Sequence, residues 1–127
     1  MTVVLVCGGR DFNDEDYMNS RLEKLFKARE PDLLVHGNAE GADKFSGEFA
    51  LSKECNVMVV PAKWKQHGRS AGPIRNAEML ALQRVDLVVA FPGGTGTKSM
   101  MTLAEKENIK VVNLEEDYAQ WQSQLNQ

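Results

Sequence analysis

The residue types most suited to chemistry in this chain are gathered in Pro92-Gly93-Gly94-Thr95-Gly96-Thr97. The stretch follows an apolar run, Val85-Asp86-Leu87-Val88-Val89-Ala90-Phe91, and precedes a helix-like segment. A strand, a glycine-hydroxyl turn and a helix start form an anion-binding corner. Glycine lets backbone N–H groups face outward without a side chain in the way. The helix start adds unpaired donors and a positive dipole end. Gly93, Gly94 and Gly96, with the hydroxyls of Thr95 and Thr97 and the bend at Pro92, therefore predict a phosphate site.

Other turns carry compatible chemistry. Gly8-Gly9-Arg10-Asp11-Phe12 follows the first apolar run, and Arg10 is a fork donor for phosphate or carboxylate. The competing reading pairs Arg10 with Asp11 or Asp14. His36-Gly37-Asn38-Ala39-Glu40-Gly41-Ala42-Asp43 offers Asp43 either as acceptor for a ribose hydroxyl or as a dipole-stabilising acid in a first helical turn. His36 faces either a crevice or a structural hydrogen bond. Residues 55–77 hold no Asp or Glu but include Lys63, Lys65, Arg69 and Arg75, with Trp64 and His67 among them. That local positive charge fits a phosphate clamp or a solvated loop. Trp64 fits a stacked base or core cover. Arg75 and Asn76, behind Gly72-Pro73, are read as functional.

Several chemistries are excluded. Gly8-Gly9 lacks the third glycine of GxGxxG, and no acid ends the second strand, which argues against a dinucleotide dehydrogenase. Gly96-Thr97-Lys98-Ser99 misses the glycine that must precede the lysine of a P-loop. No GxSxG, paired carboxylates or metal-ligand spacing is present. No resident metal or cofactor is expected.

The elements that must position these residues alternate. Apolar strands are expected at 2–7, 33–36, 57–60, 86–91 and 110–114. Helical periodicity covers 14–29, 41–54, 74 to about 83, and 97–107, with an irregular stretch over 61–73. Tyr118, Trp121 and Leu125 mark an amphipathic C-terminal helix at 115–127 that either caps the core or supports a homodimer. Short, continuously apolar strands between helices indicate an α/β fold, an open parallel sheet covered on both faces. In order 3-2-1-4-5, the turns at 8–12 and 92–97 face each other across the switch-point crevice where ligands bind.

The chain has 127 residues, 43% apolar and 26% charged, with net charge −3. This fits one domain, residues 1–127, with its own core. The acidic balance argues against nucleic acid as general partner. No apolar run is long enough for a membrane span and no signal peptide is apparent. Cys7 and Cys55 form no CxxC and are read as reduced thiols, so a cytoplasmic protein is expected.

The motifs Gly8-Gly9-Arg10-Asp11-Phe12, His36-Gly37-x-Ala39-x-Gly41-Ala42-Asp43, Pro61-Ala62-x-Trp64, Gly68-Arg69-x-Ala71-Gly72-Pro73-x-Arg75-Asn76-x-x-Met79 and Phe91-Pro92-Gly93-Gly94-x-Gly96-Thr97 resemble, in order, those of the SLOG superfamily. The likeness is to its YspA/YpsA-related (cpYpsA-like) branch of small proteins, and covers residues 3–112. It implies a Rossmann-like fold and binding or sensing of a nucleotide-derived ligand, related to ADP-ribose or NAD. More distant likenesses imply two alternatives: a LOG-type phosphoribohydrolase cleaving nucleoside 5′-monophosphates, and a DprA-like nucleic-acid accessory protein. Two positions depart from these patterns. Asn38 stands where relatives commonly carry glycine. Met100 stands where LOG enzymes carry the catalytic Glu of Pro-Gly-Gly-x-Gly-Thr-x-x-Glu, although Arg75 and Met79 resemble the LOG Arg-x-x-x-Met element. A thioether moves no proton, so binding is favoured over hydrolysis, and Glu78 is the remaining candidate for a catalytic acid.

Overall fold

A computed structural model describes residues 1–126. Five strands, β1 (Val3–Cys7), β2 (Leu33–His36), β3 (Asn56–Val59), β4 (Leu87–Ala90) and β5 (Lys110–Asn113), form one sheet in the order β3-β2-β1-β4-β5. All four pairings are parallel. The expected topology is therefore the observed one. β1 lies at the centre, with Val4 opposite Leu34 on one side and Leu87 on the other.

All five residues of β1 are buried because both sheet faces are covered. Side chains alternate across the sheet with period two. Val4 and Val6 join Met18, Leu22, Phe26, Phe49 and Leu114 in one core layer, under α1 (Glu15–Ala28), α2 (Ala42–Ser52) and α6 (Glu115–Leu125). Val3, Leu5 and Cys7 join Met79, Val88, Met100 and Ala104 in the other, under α4 (Ala71–Leu82) and α5 (Thr95–Lys106). No helix among the described residues is long and apolar enough to cross a membrane.

Most element ends shift by a residue or two from expectation, and two differences bear on the site. The stretch 61–73 is not irregular throughout: it holds a short helix α3 (Trp64–His67), a 3₁₀ turn (Gly68–Ser70) and the start of α4. Gly72-Pro73 lies inside the first turn of α4, where proline's missing N–H has no intrahelical bond to lose. α5 begins at Thr95 rather than 97, so the hydroxyl-glycine run is itself the helix's first turn. The C-terminal helix, expected over 115–127, spans Glu115–Leu125 and is capped at Asn126; residue 127 lies outside the described residues.

The turn after β1 is pinned from beneath. Phe12 packs on Phe91 with ring centroids 6.0 Å apart, and edge-on against Tyr17 (6.1 Å) and Tyr118 (4.8 Å). Tyr17 was not singled out in the sequence, yet it is fully buried. Its hydroxyl donates to Asp117 Oδ2 at 2.5 Å and Leu114 O at 3.3 Å, and Arg21 pairs with the same Asp117 at 2.6 Å. These contacts dock α6 onto α1. From above, Gly41 presses its backbone onto the same turn. A Cβ on Gly41 would stand 2.5 Å from Gly9 O and 2.8 Å from both Arg10 O and Phe12 O, and Gly41 has φ +76°. Only glycine meets both demands. Gly41→Ala is therefore expected to lower unfolding free energy by about 2 kcal/mol or more. Urea denaturation of the two proteins checks this; equal midpoints would refute the close approach.

Candidate functional site

The turns after β1 and β4 meet at their bases. The parallel ladder continues past the strands: Phe91 N donates to Cys7 O and Gly9 N to Pro92 O, each at 2.9 Å. Glycine is required by the closeness. A Cβ on Gly8 would lie 2.6 Å from Ala42 Cβ, and one on Gly93 would overlap Thr97 Oγ1 and stand 2.7 Å from Gly9 N. Beyond this seam, Gly94 is the N-cap of α5 with no side-chain cap, and the first intrahelical bond runs from Lys98 N to Gly94 O at 3.1 Å. The N–H groups of Thr95, Gly96 and Thr97 thus lack intrahelical acceptors and lie at the positive end of a 12-residue helix.

These amides border a crevice of about 890 Å³, within the range of small-molecule sites. Of the residues expected to bind, Gly8, Gly9, Arg10, Asp43, Trp64, Arg69, Gly72, Arg75, Asn76, Gly94, Thr95, Gly96 and Thr97 line it. Segments distant in sequence are thus gathered around one space. Asp11, His36, Gly37, Pro92 and Gly93 are outside the lining. Asp11 is exposed, Pro92 and Gly93 form the seam, and the other two stand behind the wall. His36 is buried; its Nδ1 accepts from Asn38 N at 3.0 Å, and its ring faces Gly47, where a Cβ would come within 2.5 Å of Nε2. Burial lowers its pKa, so it acts as a neutral structural acceptor. Asn38 has φ +62°, a conformation asparagine tolerates and glycine adopts freely.

Gly37 works through its neighbours. Its N–H donates to Asp43 Oδ2 at 3.0 Å and its carbonyl accepts from Arg75 Nη1 at 2.7 Å. Ala39 N adds a second bond to Asp43 Oδ2 at 3.3 Å. Among the described residues Asp43 is the one carboxylate in the lining, and it is 5% exposed. Burial pushes its pKa up to about 6, against the opposing pull of the two backbone N–H groups and Arg75. Burial, with Asp43 nearby, pushes the Cys7 thiol up to about 12, leaving it a protonated, apolar part of the floor.

The rim is built by α3 and the 3₁₀ turn, neither of which contains a buried residue. Trp64 is 53% exposed and lines the crevice, so its core-covering role is corrected in favour of an open ring. The α3 helix places that ring beside Gly72, whose Cβ, if present, would be 3.7 Å from Cη2. Cys7, Ala39, Pro73, Met79 and Ser99 also line the space without having been proposed as binding residues. Ser99 had a readable signal: it follows Thr95 by four residues, one helical turn. Glu78 lies outside the lining, and Met100 is a core residue 1% exposed. No group of three or more potential metal ligands occurs among the described residues.

Two comparisons bear on this arrangement. The model of the YspA, cpYpsA-related SLOG family matches residues 2–67. The chain is similar to the Gene 61 protein of Mycobacterium phage D29, 34% identical over 121 residues, spanning 89% of this chain and 96% of that protein. No solved structure matches the chain.

The burial of Asp43 sets a pH dependence. Its folded pKa of about 6 lies above the ordinary 3.8, so the unfolded chain gives up this proton more readily. The stabilisation is complete below about pH 4 and is lost as pH rises through 6, by about 3 kcal/mol. Asp43→Asn removes this titration. The variant is expected to gain 2–3 kcal/mol relative to the parent between pH 4 and pH 7.5 in urea denaturation. A pH-independent difference would contradict the buried carboxylate.

Proposed function

The chain belongs to the YspA, cpYpsA-related SLOG family, and on that premise we propose that its crevice binds a phosphorylated, nucleotide-derived ligand. The observation that carries the reading is the uncapped first turn of α5 opening onto the crevice. Amides of residues 95–97 supply hydrogen bonds to phosphate oxygens, and the helix dipole favours their charge. Arg10, Arg69 and Arg75 line the same space and balance the anion. Asp43 is suited to a ribose hydroxyl, as acceptor when ionised. The open Trp64 ring offers a stacking surface for a base.

Hydrolysis has less support. Neither Glu78 nor residue 100 presents a carboxylate to the crevice. Asp43 is committed through Oδ2 to two backbone N–H groups. Binding or sensing, rather than turnover, is the activity that fits this donor set. A nucleic-acid role would draw on the exposed Lys63 and Lys65, which are outside the lining.

A thermal-shift panel of nucleoside mono- and diphosphates, ADP-ribose and NAD tests the reading. At a ligand concentration of about 100 times Kd, binding adds about 2.7 kcal/mol to stability, so at least one phosphorylated compound is expected to raise the melting midpoint. Arg75→Ala is expected to lose that shift. Unchanged midpoints across the panel would sink the proposal, and release of free base from AMP would replace it with the phosphoribohydrolase.

A further inference from the structure

We propose that Asn76 is the positioning residue of this crevice: its amide ties Arg75 to the first turn of α5, so that guanidinium and uncapped amides meet the ligand as one preset unit. The inference rests on the ligand-binding reading above and adds how the site is held ready.

Asn76 is 6% exposed in α4. Its Oδ1 accepts from Arg75 Nε at 3.1 Å, and its Nδ2 donates to Gly96 O at 3.4 Å. The chemistry of both partners fixes this orientation. A guanidinium Nε–H can only donate, and a peptide carbonyl can only accept. A side chain between them must therefore be acceptor on one end and donor on the other. An amide of this length meets that condition. Aspartate would set an oxygen against the Gly96 carbonyl, and leucine would satisfy neither partner. With Oδ1 and Nδ2 each holding a partner inside the protein, Asn76 acts on the site through Arg75 and α5.

The tie extends further. Arg75 Nη1 donates to Gly37 O at 2.7 Å, and Gly37 N donates to Asp43 Oδ2 at 3.0 Å. A continuous chain of bonds thus joins the turn after β2, the first half of α4 and the first turn of α5. Core packing of Met79 on Met100 and Ala104 already holds α4 against α5, and the bonded chain adds a polar tie at the crevice end of both helices. Arg75 is only half-buried. With Nε released, its head keeps the single Gly37 tether and samples more rotamers, and ordering it is then charged against binding.

The test reads Arg75 and the ligand separately. In ¹H–¹⁵N spectra the Arg75 Nε–H signal, assigned by its absence in Arg75→Lys, is expected to exchange slowly with solvent. Asn76→Leu is expected to abolish that protection and to weaken AMP or ADP-ribose binding roughly tenfold in calorimetric titration. In the Arg75→Lys background the same change is expected to alter affinity less than about twofold, because the group it positions is gone. A purely structural role predicts equal losses in both backgrounds and would overturn the proposal, as would an unchanged Nε–H signal. Asn76→Ala run through the same cycle decides the matter if the leucine variant does not fold. If no compound of the nucleotide panel above binds the parent protein, this proposal and the ligand reading fall together. Binding with Arg75 protection intact in the variants removes the positioning role alone.

Discussion

The hydrogen bond from Gly9 N to the Pro92 carbonyl, 2.9 Å long, is the contact around which the site is organised. It extends the pairing of β1 and β4 past the point where both strands have ended. At that point the chain leaves β1 toward one sheet face and β4 toward the other, and a parallel sheet opens a crevice there. The seam sets how far it opens. Gly8 lies against Ala42 and Phe91, and Gly93 against Thr97, so the first turns of α2 and α5 are drawn to the same floor. Side chains at these glycines would wedge the turns apart and displace both helix starts.

Much of this organisation was legible in the sequence because parallel sheets leave a strong trace. Val3–Cys7 and Leu87–Ala90 are continuously apolar because each is covered twice. The glycine-rich turns mark the crevice in the sequence because close backbone approach at its floor demands them. What was not legible depended on tertiary neighbours. Gly72-Pro73 carries the local signal of a breaker, but proline in a first helical turn breaks nothing. Trp64 carries the signal of a core residue, and only the absence of a layer above α3 leaves it open. In sequence, His36 and Asp43 each carry a structural and a crevice-facing reading, with His36 weighted toward the structural one. Their separation into a structural acceptor and a crevice wall follows from Gly47, which admits the imidazole ring and turns it inward.

The charge arrangement has a similar logic. The protein is acidic overall, yet three arginines and a helix N-terminus converge on one space. Asp43 stands among them with its charge disfavoured by burial. Where it ionises, its carboxylate offsets part of the positive field of the three arginines and the helix start. The backbone amides of Gly37 and Ala39 hold it in place in either protonation state, so the wall keeps its shape while its charge changes.

The aromatic cluster under the first turn links regions far apart in the chain. Phe12, which closes the turn that starts the crevice, rests on Phe91 and on Tyr118 from the last helix. Tyr17 reaches Leu114 and Asp117 across about a hundred residues. The glycines of residues 8 and 9 are made about a hundred residues before Tyr118 and Asp117, which immobilise their turn. A wall of the crevice encoded near residue 10 therefore depends for its rigidity on a helix encoded about a hundred residues later, and a nascent chain that stops short of α6 leaves that wall unsupported.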